Sequence, residues 1–264
     1  MVIMVFEKIK LHQKKIILAG LLVITGFLTW LFISNSFPGY YGKILTVGSS
    51  VCHQIPSHSF SAGDVQFPVC ARCAGLYLGS FIGLVYALFA GRKKGIPEKG
   101  FLILMVILFL LWAGDGLNSF VSDFINEPFL YQTNNLTRLI TGYGMGLVMA
   151  TALGTLFNIT VWNEADDDAL LDRIDQLLGY AAICVIISLM VFTEYAILLQ
   201  AAGYITIFTV ITIISLLYTI FWIITFRKEN QFSKWKHLII FLSAGYATAI
   251  GQVLLLVSLR NKIL

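Results

Sequence analysis

The sequence predicts an all-α polytopic transmembrane helical bundle of about seven spans. It forms a single domain over residues 1–264, with the N-terminus cytoplasmic and the C-terminus extracytoplasmic. Three observations predict this. Of 264 residues, 58% are hydrophobic and 12% charged, and the mean hydropathy of +0.84 lies outside the range of soluble domains. Stretches of about 20 apolar residues, the length that crosses a hydrocarbon core, recur with short polar joints. Lys and Arg concentrate in three of those joints, as they do in short cytoplasmic loops.

The spans run roughly over 16–34, 73–91, 100–119, 136–160, 177–199, 202–226 and 238–259. The first is long for a cleavable signal and "SNSFPGYYG" after it offers no small-x-small cleavage site, so it is read as an anchor. The fifth and sixth meet at "LLQAAG" near residue 200, as a tight hairpin or one broken segment. Basic residues precede the first span (Lys8, Lys10, Lys14, Lys15), fill "GRKKGIPEKG" (Arg92, Lys93, Lys94, Lys99) and fill "RKENQFSKWKH" (Arg227, Lys228, Lys234, Lys236). These segments share one side in a seven-span chain, which sets the orientation. The same side receives "VWNEADDDALLDRID", with six acids and one Arg, read as a solvated loop or a surface for a cytoplasmic partner. The net charge of +4 is anchoring charge and gives no reason to expect nucleic acid.

On the opposite side lies a connection of about 38 residues ending in "VCHQIPSHSFSAGDVQFPVCARCAGLYLGS", which holds Cys52, His53, Cys70 and Cys73. Pro68 suits a helix start, so Cys70 and Cys73 fall one turn apart on one face at the N-terminus of the second span. There the free amides and the helix dipole lower a thiol pKa, and the thiolate is the form that binds metal or attacks. Three sulfurs and an imidazole are the donors of a tetrahedral zinc site. A three-ligand variant, with His53 or Cys52 left out and water in the open position, would be the catalytic form. A redox-active thiol system, or a disulfide with a spare thiol, are the alternatives on an oxidising side. His58 is read as surface loop, with proton shuttling as its other reading, and Cys184 as a packing residue.

Polar residues gather at the same depth. Asp115 and Asn118 end the third span, Asn135 and Arg138 begin the fourth, Glu194 ends the fifth and Gln252 lies in the seventh. Ionisable groups at such positions usually face the bundle interior or a water-filled cavity. The lesser alternative is that Asp115 and Arg138 form an inter-helix ion pair or sit at the headgroup level. Gly75, Gly79 and Gly83 repeat every fourth residue on the second span and Gly142 and Gly146 do so on the fourth, a spacing that lets membrane helices approach closely. A tight crossing of these two spans is expected to carry Arg138 toward the cysteines.

"CHQIPSHSF", "PVCARCAGLYLG", "DGLN" and "NNLTRLITGYGMG" together resemble a family of uncharacterised prokaryotic multi-pass membrane proteins. Its mark is a Cys-His-Gln motif followed by Cys-x-Arg-Cys-x-Gly. The resemblance covers residues 51 to about 150. It implies that Cys52, His53, Gln54, Cys70, Arg72, Cys73, Gly75, Asp115, Asn135 and Arg138 occupy signature positions, and it brings no reaction with it. Glu194 and Gln252 lie outside.

Three functions are expected from these residues. The first is a zinc-dependent hydrolase or transferase acting on a membrane lipid or lipid-linked anionic substrate. Cys52, His53, Cys70 and Cys73 would hold the metal, Asp115 would act as general base or further ligand and Arg138 as anion holder, with Gln54, Arg72, Asn118, Asn135 and Glu194 in support. The second is a structural zinc site on a binding or transport protein. The third is a thiol oxidoreductase coupled to a quinone.

Overall fold

In a computed structural model the backbone is described over residues 2–36 and 38–263, and side chains over 15–36 and 38–262. Lys8, Lys10 and Lys14 of the basic N-terminal flank therefore lie outside the described side chains. The chain forms α1 (Val2–Asn35), α2 (Gly39–Val51), β1 (Ser61–Ala62), β2 (Val65–Gln66), α3 (Ala71–Ala90), β3 (Lys93–Gly95) and α4 (Lys99–Ile125). It continues with α5 (Asn135–Val161), β4 (Asp166–Ala169), α6 (Ile174–Phe192), α7 (Ala196–Thr225) and α8 (Ile239–Ile263). Every one of these helices except α2 contains a stretch long and apolar enough to cross a membrane, seven in all, as the hydropathy pattern predicts.

The long connection after α1 is itself folded. Pro38 starts α2, whose Ile44, Thr46, Val47 and Gly48 are buried. A 3₁₀ turn over Pro56–His58 and the β1–β2 hairpin follow. A Cβ on Gly48 would collide with the carbonyl oxygen of Pro68, so α2 lies directly against the chain that enters α3.

The joint between the fifth and sixth spans differs from expectation. It falls at Thr193–Tyr195, and "LLQAAG" is helical. Leu, Gln and Ala are good helix formers, and Gly203 lies within α7 where Pro68 packs against it. The turn is instead made by Glu194, whose φ of 53° is left-handed, so Glu194 lies in an exposed turn beyond the span it was expected to end.

The acidic segment is not a free solvated loop. Its Asp166–Ala169 pairs in parallel with Lys93–Gly95, and Lys93 and Lys94 face Asp168 and Asp167 at 3.8 and 3.2 Å. The lysine-rich and acid-rich connections thus lie at one end of the helices, in agreement with their expected common side.

Two compact units are present. One comprises Met1–Ser36, Thr160–Glu164 and Ile211–Leu264. In it α1 packs on α8, Trp222 Nε1 donates to Thr248 Oγ1 at 3.1 Å, and Gly245 lets α8 press on Ser215 and Thr219 of α7. Gln252 belongs to this unit. The other comprises Phe37–Ile159 and Ala165–Val210 and contains all the remaining candidate residues. Its centre is the α3–α5 crossing: a Cβ on Gly75 would strike the Leu139 carbonyl, and one on Gly142 the Arg72 carbonyl and, at 2.9 Å, the Gly75 Cα. Gly146 abuts Leu76 and Ser80 in the same way. The glycine stripes bring these helices into backbone contact, as their spacing predicts.

Candidate metal centre

Gln54 holds the cysteine loop in place. With φ of 56° it turns the chain after His53, and its amide donates to the carbonyls of Leu45 (2.9 Å) and Pro68 (2.8 Å). Gln66 donates to the Gln54 carbonyl at 2.9 Å. The end of α2 is thereby tied to the start of α3. The Sγ atoms of Cys52, Cys70 and Cys73 lie within 4.8 Å of one another, and none of the four cysteines is in a disulfide.

This arrangement suits a metal. Tetrahedral zinc–thiolate geometry places sulfurs roughly 3.8 Å apart, within the observed spacing. Backbone N–H groups already point at one sulfur: those of Cys70 (3.1 Å) and Gln54 (3.5 Å) donate to Cys52 Sγ. Such donors stabilise thiolate charge and orient ligands. Hydrogen bonds from Cys52, Cys73 and His53 pull the Cys70 thiol down strongly against the effect of burial. Cys52 is pushed up to about 11, first by its hydrogen bond to Cys70. The hydrogen bonds inside the cluster thus favour negative charge on the Cys70 sulfur, shared with its neighbours. His53 is solvent-exposed, lies against Cys70 and accepts the Ile55 N–H at Nδ1 (3.1 Å), but its ring nitrogens are outside the close set of three sulfurs.

Asp115 is engaged elsewhere. Arg72 sits between the two helical cysteines on another face of α3, and its Nε and Nη2 donate to Asp115 Oδ2 at 2.8 and 2.5 Å. Tyr131 donates to Oδ1 at 2.5 Å, and Thr141 to Oδ2 at 3.4 Å. The ion-pair partner of Asp115 is thus Arg72 rather than Arg138. Asn118 serves the neighbouring connection, donating to the Tyr131 carbonyl and accepting the Leu130 N–H.

Arg138 is 5% exposed and donates only to neutral acceptors: Asn135 Oδ1 (3.2 Å), Ser119 Oγ (3.1 Å) and Thr133 Oγ1 (2.8 Å). Its Nε has no partner, and among the described residues no carboxylate pairs with it. Asn135 also donates to the Ser59 carbonyl of the cysteine loop at 3.4 Å. His58, expected at the surface, is buried with Nε2 3.4 Å from Asp123 Oδ1. Burial first, then the charge of Arg138, lowers its pKa. Glu194 makes no side-chain contact with this group among the described residues. Tyr131 and the His58–Asp123 contact leave no mark in the sequence: a lone Tyr in a polar connection, or a His and an Asp 65 positions apart, carry no spacing signal.

Residues 52–152 match the family described as "Predicted membrane protein (DUF2085)". An uncharacterized protein of Methanothermobacter thermautotrophicus is 35% identical over 103 residues, 38% of this chain and 84% of its own length. An uncharacterized protein of Methanocaldococcus jannaschii is 31% identical over 130 residues, 48% of this chain and 72% of its own. No solved structure matches the chain. The matched region contains the three clustered cysteines, the Arg72–Asp115 pair and Arg138. The chain belongs to the DUF2085 family of predicted membrane proteins.

Proposed function

We propose that this membrane protein is a zinc protein whose metal is held by Cys52, Cys70 and Cys73, and that it acts as a hydrolase or transferase on a lipid or lipid-linked anionic substrate. The observation that carries the reading is the convergence of three sulfurs within 4.8 Å at the start of a membrane span. His53 is the candidate for the fourth position, since its imidazole already meets Cys70. Zinc bound there would supply a Lewis acid for a substrate oxygen or for water.

The protein's own groups would bind and orient. Asn135, Ser119 and Thr133 hold the Arg138 guanidinium, whose Nε is shut off from solvent and has no partner among the described residues, so an anionic oxygen would reach it by displacing a neighbouring side chain. A buried cation with no carboxylate partner is costly, so an anionic group there relieves it. Asp115, with both oxygens occupied, positions Arg72 and Tyr131 and is a poor candidate for a base. The basic joint over residues 92–99, at the other end of α3 from the cysteines, supports an orientation with the cysteine end extracytoplasmic.

The engaged state of Asp115 also favours a second reading, a structural zinc site that fastens the α2 loop over an anion-binding bundle. X-ray absorption at the zinc edge separates the two. Three sulfurs and an exchangeable oxygen support the enzyme, three sulfurs and the His53 nitrogen support the structural site, and no zinc overturns both. Retention of dioleoyl phosphatidic acid, reduced about tenfold in Arg138→Gln, would support the anion site; equal retention in the variant would remove Arg138 from it.

A further inference from the structure

At the other end of α3 from the cysteines, a cavity of about 590 Å³ opens between α3, α5 and α6. It begins at Phe81, eight residues beyond Cys73, and reaches Ala87, about 12 to 21 Å along the helix axis. We infer that it binds one hydrocarbon chain of a membrane amphiphile, acyl or isoprenoid, with the polar head at a rim formed by Tyr86 and Gln176.

The walls are apolar: Phe81 and Val85 of α3, Leu147 of α5, Ile183 and Ile187 of α6. Tyr180 lies deeper with its hydroxyl spent on the Tyr143 carbonyl at 2.7 Å, and Thr151 lies on α5, but polar groups gather mainly at the Tyr86 end. There Gln176 Nε2 donates to Tyr86 Oη at 2.8 Å and to Asp172 Oδ1 at 2.9 Å, and Arg173 pairs with Asp175 at 2.8 Å. Because that Arg is already paired and the Gln176 amide is filled, giving both Nε2 hydrogens and taking the Asp172 and Arg173 N–H groups at Oε1, the rim offers a head the Tyr86 hydroxyl hydrogen rather than net charge. The volume lies in the range of small-molecule sites, which are mostly apolar with a few polar groups fixing orientation.

On the α6 side the space opens at the helix surface, where Gly179 is exposed. Gly83 of α3 is already against Ala150 of α5, so those helices are closed on each other. Gly179, inside α6 and on the cavity wall, has nothing within 4 Å of where a Cβ would stand. Glycine is disfavoured inside a helix relative to alanine, and no neighbour requires it here. An occupant entering between membrane spans meets this opening with a hydrocarbon chain first. This site is independent of any metal at the cysteines.

The test uses the full chain in lipid nanodiscs. Native mass spectrometry is expected to find about one retained amphiphile per chain, falling at least tenfold in Gly179→Phe, whose ring would occupy the empty space. The mass of the retained molecule tells a glycerolipid from an isoprenoid. A diazirine-bearing palmitate is expected to label peptides 81–87 and 179–187 of the unsubstituted protein, with unlabelled palmitate competing. Absence of a retained amphiphile, equal retention in Gly179→Phe, or labelling spread evenly over the spans would each overturn the inference. The labelling decides the matter even where the substituted protein fails to fold.

Discussion

Arg72 grips Asp115 through two nitrogens, at 2.8 and 2.5 Å from one carboxylate oxygen, with the two side chains 13% and 1% exposed. Removing one partner of such a buried pair strands the other charge. Asp115→Ala is therefore expected to cost about 3–5 kcal/mol, and the double replacement Arg72→Met with Asp115→Leu to recover most of it. Thermal unfolding in detergent measures both. Zinc content per folded chain should stay the same in Asp115→Asn, whereas its loss would make Asp115 a ligand.

The α3–α5 crossing rests on glycine. A Cβ at Gly142 meets only backbone, including Gly75 Cα and Leu76 N at 2.9 Å, so side-chain adjustment cannot relieve it. Gly142→Ala is expected to destabilise at or above the upper end of about 1–3 kcal/mol. Gly179→Ala, also mid-helix but facing open space, should be neutral or stabilising by up to about 1 kcal/mol. Equal effects of the two substitutions in thermal unfolding would contradict the packing described.

The seven spans, the glycine crossing and the cysteine cluster were legible in the sequence because each depends on local spacing: apolar length, a four-residue interval, one helical turn between Cys70 and Cys73. What was not legible depends on contacts between distant segments. The α2 helix has 13 residues with three glycines, too short and too mixed to stand out, and it is set by burial against Pro68. The acidic segment looked solvated because its lysine partners lie about seventy residues earlier in the chain. Asp115 could have paired with either Arg72 or Arg138; the side of α3 from which Arg72 projects decides it. A small-residue run near residue 200 looks like a joint, whereas the single left-handed Glu194 suffices to make one six residues earlier.

The β3–β4 contact should depend on backbone fit more than on charge. Asp167 and Asp168 are 93% and 73% exposed, and exposed pairs contribute roughly 0–1 kcal/mol. Replacing Lys93 and Lys94 by Ala should change stability little. Gly95→Val, whose side chain would meet the backbone of Asp167 to Ala169, should expose residues 164–171 to limited proteolysis. Protection unchanged in that variant would refute the strand pairing.

Tyr41 in α2 donates to the Gln66 carbonyl at 2.8 Å, and burial first, then Tyr204, pushes its pKa up to about 12. The folded state thus holds this proton more tightly than the unfolded chain, whose value is near 10.0. Its contribution is fully present below pH 10 and is lost as the pH rises toward about 12. The fall in unfolding temperature across that window should be shallower in Tyr41→Phe. An identical fall would show that Tyr41 does not carry it.

Metal content of the purified, reduced protein tests the central claim most directly. Elemental analysis is expected to give about one zinc per chain, lost in each of Cys52→Ser, Cys70→Ser and Cys73→Ser and kept in Cys184→Ser, whose thiol lies in α6 away from the cluster. Absence of metal from the unsubstituted protein, or retention of zinc in all three cluster variants, would contradict the account.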